Sequence, residues 1–466
     1  MKLQFLGATR QVTGSRYCLH ADGHKVMVDC GMYQERSYLD RNWAQSPIRP
    51  REIDALLLTH AHVDHCGLAP KLVREGFRGE IITTDASAEL VELILRDSAK
   101  IQMEDAEYKR KRHKKEGRKG RHPVEPLFTT RHVDQTLKLL KPVPYDEIIR
   151  INDDISAVFH DAGHILGSAM VELRAGHDDQ ARRILFSGDI GQTDKPLVRD
   201  PTKVTEADYV VMESTYGDRE HEDHGDVDTQ LADIINSTVA AGGNVVMPTF
   251  AIERSQEVIY HLSLLMHEGR IPELPVFLDS PMAVDATDIF RRYRRHFDDE
   301  TWQLIAAGGA PLRFPSLQMV RSVEQSKAIN TQKGPAIIMS TSGMCTAGRI
   351  KFHLRKNITR EECTILFVGY QAAGTLGRHI VNGAGSVRIH GRNLPVRASV
   401  RQIHGFSGHA DRPALLRWLN HFEQPPREIF LTHGDEDSAL SLSAEIEKMP
   451  GWKVSVPEYQ QTIDLD

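Results

Sequence analysis

The chain has 466 residues, 40% apolar and 26% charged, with a net charge of −6, so no global excess of either sign announces a polyanionic partner. That length exceeds one ordinary core and calls for two domains, or one carrying a large insertion. The first residues lack the apolar run of a signal peptide or membrane span, and five scattered cysteines without a Cys-x-x-Cys pair argue against a disulfide framework or a cysteine zinc site and for the reducing cytoplasm.

Apolar runs bounded by Gly, Asp, His or Ser predict strands over 2–6, 25–29, 55–58, 157–161, 184–187 and 209–212. Further strands are predicted over 244–247, 276–278, 336–339, 364–368 and 428–431. Helices are predicted over 87–103, 227–241, 254–268, 284–296 and 411–422, and the alternation is that of an α/β protein. Between the first helix and the following strand, Lys109 to Arg121 carries nine Lys or Arg against Glu116 alone. It reads as a solvated helix end or as a landing strip for a nucleic-acid backbone. The run Arg291-Arg292-Tyr293-Arg294-Arg295 is equally ambiguous.

At the end of the strand near 55–58 stands Thr59-His60-Ala61-His62-Val63-Asp64-His65. Ligands gather at strand ends, where a rigid sheet meets a crevice. Four metal-competent side chains in six residues cannot all reach one tetrahedral ion. They can divide, His60 and His62 on one ion and Asp64 and His65 on a second. Nitrogen and carboxylate donors without thiolate suit zinc, with manganese or iron open. His164 in Ala162-Gly163-His164 and Asp189 in Ser187-Gly188-Asp189 follow at glycine-flanked turns. Glycine lets the backbone turn sharply enough for a short carboxylate to bridge two ions.

The order His-x-His-x-Asp-His, Gly-His, Ser-Gly-Asp resembles the metallo-β-lactamase superfamily. Asp29 in Val28-Asp29-Cys30-Gly31 matches its N-terminal aspartate, which supports the ligand loop. Downstream, Glu213 in Met212-Glu213-Ser214-Thr215, His409 in Ser407-Gly408-His409-Ala410 and His433 in Thr432-His433-Gly434 resemble motifs A, B and C of the β-CASP nucleases. Phe367 to Gly377 also looks like the family's return from its inserted domain. The resemblance implies an αββα sandwich over 1–208 and 386–466, with an α/β β-CASP domain inserted over 209–385 as the other wall of a cleft. Histidine at motif C is similar to the RNA-directed members; the DNA-directed ones typically have valine there.

The resemblance further implies two zinc ions per chain, one held by His60, His62 and His164 and one by Asp64, His65 and His433, with Asp189 spanning both. Water activated between them would hydrolyse single-stranded RNA, internally or from a 5′ end, leaving 5′-phosphate and 3′-hydroxyl ends. Asp64 would also take a proton from that water. His409, oriented by Glu213, would protonate the leaving oxygen. Ser340, Ser342 and Gly343 are candidates for a phosphate cradle, Arg254 and Arg378 for backbone contacts, and Ser407 and Gly408 for a 5′-phosphate pocket. DNA cleavage, a small-molecule hydrolase and a non-catalytic scaffold are the rival readings. No membrane partner is expected, and a homodimer is left open.

Overall fold

The computed structural model describes residues 1–466 apart from 118–121, 123, 178–179 and 222–225. Arg118 to Arg121, the end of the basic run, therefore lie outside the described residues. Two units separate: Met1–Asp194 with Arg199–Glu220 and His409–Asp466, and Lys195–Val198 with His221–Gly408.

The first unit holds two seven-stranded sheets. One runs in the order Thr462–Asp464, Lys2–Gly7, Arg16–Ala21, His24–Val28, Ala55–Leu57, Glu80–Thr84, Leu140–Val143. The other runs Val454–Ser455, Glu428–Thr432, Tyr209–Glu213, Arg182–Phe186, Ala169–Ala175, Ile155–Asp161, Ile149–Arg150. Why a strand buried on both faces is apolar is plain at Tyr209–Glu213, whose first four residues are apolar. Tyr209 and Val211 enter the core between the sheets, where Phe5 meets Phe430 edge to face at 5.3 Å. Val210 and Met212, on the opposite face, pack beneath the helices Arg412–Leu419 and Glu436–Ile446. The helix Asp85–Glu116 covers Glu80–Thr84 and Leu140–Val143 of the other sheet. The layers are helix, sheet, sheet, helix, the sandwich expected from the sequence.

Two differences have physical causes. Arg16–Ala21 and Ala169–Ala175 are strands that the apolar-run criterion does not find, because Arg16, His20, Glu172 and Arg174 interrupt them. The first long helix continues past 103 to Glu116 and stops at Gly117, whose φ of 63° closes it. Its last buried residue is Ala106; beyond it, strong helix formers and the i,i+4 pairs Glu107–Lys111 and Arg112–Glu116 carry the helix on.

The second unit is built on a six-stranded parallel sheet in the order Leu317–Met319, Val276–Leu278, Ile337–Ser340, Val245–Pro248, Thr364–Val368, Ser399–Ile403. A hairpin, Ser386–Ile389 with Arg392–Pro395, is added beside it. Among the described residues no helix is long and apolar enough to cross a membrane, and all five cysteines are buried and free.

Candidate metal centre

Parallel pairing aligns the strand ends that carry the predicted residues. Tyr209–Glu213 and Glu428–Thr432 pair with Glu213 opposite Thr432, so Glu213 and the following His433 emerge side by side. Arg182–Phe186 lies parallel to Tyr209–Glu213 and runs on through Ser187 and Gly188 to Asp189. In the other sheet His24–Val28 pairs in parallel with Ala55–Leu57 and delivers Asp29 beside the histidine run.

Asp29 organises that run. It sits at φ 59°, a left-handed conformation that aspartate tolerates. One carboxylate oxygen accepts from the Thr59 backbone N–H at 2.9 Å; the other accepts the Thr59 hydroxyl at 2.9 Å and lies 2.7 Å from His65 Nδ1. With Nδ1 held there, His65 Nε2 faces Asp189. Gly31 backs the loop closely: a Cβ there would lie 1.6 Å from the Asp64 carbonyl oxygen, so only glycine fits.

His60, His62, His164 and Asp189 form one donor set, and Asp64, His65 and His433 a second. His62 Nδ1 lies 3.0 Å from His60 Nε2 and 3.2 Å from His164 Nε2. Asp189 divides its oxygens: Oδ2 is 3.3 Å from His60 and 3.4 Å from His164, while Oδ1 is 3.3 Å from His65 and 3.5 Å from His433. Asp64 Oδ2 is 3.7 Å from His433 Nε2. Metal–ligand bonds of about 2.0–2.1 Å in a tetrahedron place ligand atoms about 3.3 Å apart, which these separations match. Asp189 Oδ1 and His433 Nε2 are moreover buried without a hydrogen-bond partner. Orphaned buried polar atoms are costly unless something else satisfies them, and a cation held by Asp64, His65 and His433 would satisfy both. The residues present therefore fit a divalent metal.

The electrostatics agree. Burial keeps His60, His62 and His164 neutral, His60 being pushed down to about 3, and neutral rings offer the lone pairs that a metal needs. Burial opposes charge on His65 and His433, but the neighbouring carboxylates together outweigh it, Asp189 with Asp29 at His65 and Asp189 with Asp64 at His433, and both are raised. For Asp189 and Asp64 burial favours the neutral acid, yet the surrounding imidazoles hold both carboxyls below their usual range. His62 and Asp64 keep partial exposure, Asp64 at 17% of its side chain, whereas His60 has none; the open side of the centre is theirs.

His409 stands at that centre without belonging to either main set. Its Nδ1 is 3.1 Å from Glu213 Oε2, and its ring centroid is 4.5 Å from that of His164. Glu213 is fully buried and accepts the Ile190 backbone N–H, so the carboxylate is held from two directions. Burial opposes charge on His409, but the Glu213 and Asp189 carboxylates lift it to about 9. Sequence reasoning missed Thr215. Its hydroxyl donates to the His433 carbonyl at 2.9 Å and lies 3.1 Å from His433 Nδ1, so it accepts that ring proton and leaves Nε2 bare toward the centre. Such outer hydrogen bonds are worth about 10–100-fold in metal affinity. Thr215→Val is therefore expected to lose about that much for the second ion in a metal titration; unchanged affinity would show the bond to be incidental.

The candidate phosphate contacts of the second unit divide. Ser340 is fully buried with its hydroxyl donated to the Asp279 carbonyl at 2.8 Å, so it braces the turn and does not reach a phosphate. Ser342 is half-buried, and its hydroxyl accepts the Thr346 N–H at 3.2 Å. Gly343 packs so closely on the Phe250 ring that a Cβ would meet it at 3.0 Å. Arg254 is largely buried, donating to the Val368 carbonyl at 3.2 Å, while Arg378 lies over the Tyr370 ring at 5.4 Å. Ser407 and Gly408 are half-buried just before His409 in the chain.

Three family descriptions match the chain: the metallo-beta-lactamase superfamily over residues 13–237, the Beta-Casp domain over 255–380, and the Zn-dependent metallo-hydrolase RNA specificity domain over 393–457. A ribonuclease of Thermus thermophilus is 37% identical over 465 residues, which cover 100% of both chains. Transcription termination factor FttA of Methanosarcina mazei is 31% identical over 460 residues, 96% of this chain and 69% of that one. Among solved structures, a protein of unknown function from Enterococcus faecalis V583 shares the fold with a TM-score of 0.57 at 12% identity, covering 100% of this chain and 99% of that one.

Proposed function

The chain belongs to the β-CASP family of the metallo-β-lactamase superfamily and is a metal-dependent hydrolase of that nuclease family; from this premise we propose that it hydrolyses phosphodiester bonds of single-stranded RNA with two zinc ions. The observation that carries the reading is the pair of donor sets sharing Asp189, with the His409–Glu213 pair beside them. His60, His62 and His164 would hold one ion, Asp64, His65 and His433 the other, and Asp189 both. Bound there, zinc lowers the pKa of water toward about 7 and neutralises charge on the phosphoryl oxygens.

The protein's own groups do the rest. Asp29 fixes the His65 ring and Thr215 the His433 ring, so two ligands are set before substrate arrives. Asp64, on the open side, accepts a proton from the attacking water. Because Glu213 holds His409 at Nδ1, Nε2 is the atom that delivers a proton to the departing 3′ oxygen. No 2′-hydroxyl takes part, so the reading that the substrate is RNA rests on the named ribonuclease relative and the RNA specificity description. Ser342, Gly343, Arg378, Arg254, Ser407 and Gly408 remain the candidates for backbone contact.

A 5′-labelled single-stranded RNA, digested with and without chelator, tests this. Metal-dependent fragments with 5′-phosphate and 3′-hydroxyl ends are expected, and their lengths distinguish internal from 5′-end cleavage. Cyclic-phosphate ends, or cleavage indifferent to chelator, would overturn the scheme.

A further inference from the structure

Charge in this chain is strongly segregated. Residues 341–408 carry ten Lys or Arg against Glu361 and Glu362, a balance of +8 in a chain whose total is −6. Part of that excess gathers on one face of the second unit. The helix Ile350–Asn357 presents Lys351, Arg355 and Lys356, the last two exposed. The hairpin Ser386–Pro395 sits next to it: Val387 and Ile389 share a core with Ile350, Leu354 and Ile358, and the His390 ring lies 4.4 Å from that of Phe352. Arg392 stands opposite Ile389 in the hairpin register, and the Arg397 backbone N–H donates to the Ile358 carbonyl at the end of the helix. Burial and the positive fields of Lys351 and Arg355 push the His390 imidazole below its usual range, which places those cations beside it.

Among the described residues none of Lys351, Arg355, Lys356, Arg392 and Arg397 has a carboxylate within 4.0 Å. The two nearest arginines in sequence contrast with them: Arg349 is tied to Asp279 and Arg360 to Glu362. The basic end of the helix Asp85–Glu116 is different again, since Glu107 and Glu116 pair with Lys111 and Arg112. Leaving like charges together without counter-ions costs folding energy through self-repulsion, and such a patch attracts a polyanion. Phe352 lies among them with 55% of its surface exposed. A cationic surface interleaved with an exposed aromatic ring is the chemistry that holds single-stranded nucleic acid, cations on phosphates and the ring under a base.

We infer that the face made by the helix Ile350–Asn357, the hairpin Ser386–Pro395 and Arg397 is an exosite for the backbone of single-stranded RNA. The inference rests on the proposed ribonuclease function and deepens it. The exosite strengthens binding of long RNA and takes no part in bond cleavage.

The test uses the full-length chain with Lys351→Gln, Arg355→Gln, Arg392→Gln and Arg397→Gln combined, and a fluorescein-labelled polyuridine of about 30 nucleotides, long enough for several site sizes. Binding is measured in chelator against salt, and cleavage with zinc present. Each lost phosphate contact lowers the salt slope by about 0.7 for single strands, so the quadruple variant should lose about 2–3 from that slope. Its KM for long RNA should rise about tenfold or more, with kcat unchanged. Phe352→Ala should weaken binding about tenfold with the salt slope intact, as stacking is not ionic. Hydrolysis of bis(p-nitrophenyl) phosphate should be equal in all three proteins, showing an intact centre. If wild type binds and cleaves RNA while the quadruple variant keeps its salt slope, the exosite is wrong and the function stands; an acidic protein is then the occupant to seek. If wild type cleaves no RNA, the proposed function itself falls.

Discussion

Asp189→Asn is expected to leave a folded protein with fewer than one bound ion per chain and activity lowered about 10³-fold or more. Among the described residues Asp189 is the one carboxylate set between both donor sets, 3.3 Å from His60 through one oxygen and 3.3 Å from His65 through the other. Asparagine keeps the shape but offers a single acceptor oxygen and no charge, so one set loses its anionic member and the other is weakened. The ions supply several kcal/mol of transition-state stabilisation, and 1.36 kcal/mol is a factor of ten, which sets the magnitude. Elemental analysis after desalting reads the metal, and RNA cleavage with limiting and excess zinc reads the rate. A variant that retains two ions would show that Asp189 is not shared. If excess zinc restores most of the rate, the bridge matters for affinity alone.

His409→Ala separates proton transfer from metal binding. Its Nδ1 is engaged by Glu213, and neither donor set needs it. The variant should keep both ions and lose about 10²–10⁴ of kcat, the range for a single acid–base group. Asp189, Glu213 and His409 also present ligand atoms close together, which gives the competing role a definite form. Loss of metal from His409→Ala would make it a ligand. Glu213→Gln should be slow for the same reason as His409→Ala, and the double variant should be little slower than either, because two residues acting as one unit are not additive. Additive losses would mean that Glu213 acts apart from His409.

What the sequence made legible follows from how local each device is. His60, His62, Asp64 and His65 stand within six residues, and residue type alone marks them. The strands Ala55–Leu57, Tyr209–Glu213 and Glu428–Thr432 are apolar because both faces are buried, and such runs are easy to see. Arg16–Ala21 escaped because it buries Arg16, and Ala169–Ala175 because it buries Glu172. Ser340 looked like a phosphate contact beside Ser342, yet alternation turns its hydroxyl inward to Asp279. Thr215 could not be read at all: its partner is His433, 218 residues away, and only the register of two parallel strands brings them together. The exosite cations lie on a helix and a hairpin whose adjacency no local pattern encodes.

That register also governs when the protein can become dangerous to its surroundings. Tyr209–Glu213 waits for its neighbour Glu428–Thr432 until some 215 further residues have been synthesised, and Lys2–Gly7 waits longer still for Thr462–Asp464. At about 5–20 residues per second the gap between Glu213 and Thr432 takes roughly 10–40 s on the ribosome. Throughout it His433 does not yet exist, and the central strand has an open edge. A nascent chain therefore carries the whole first histidine run while lacking a finished catalytic centre. Translation itself delays the nuclease until it has moved well past the message that encodes the first histidine run.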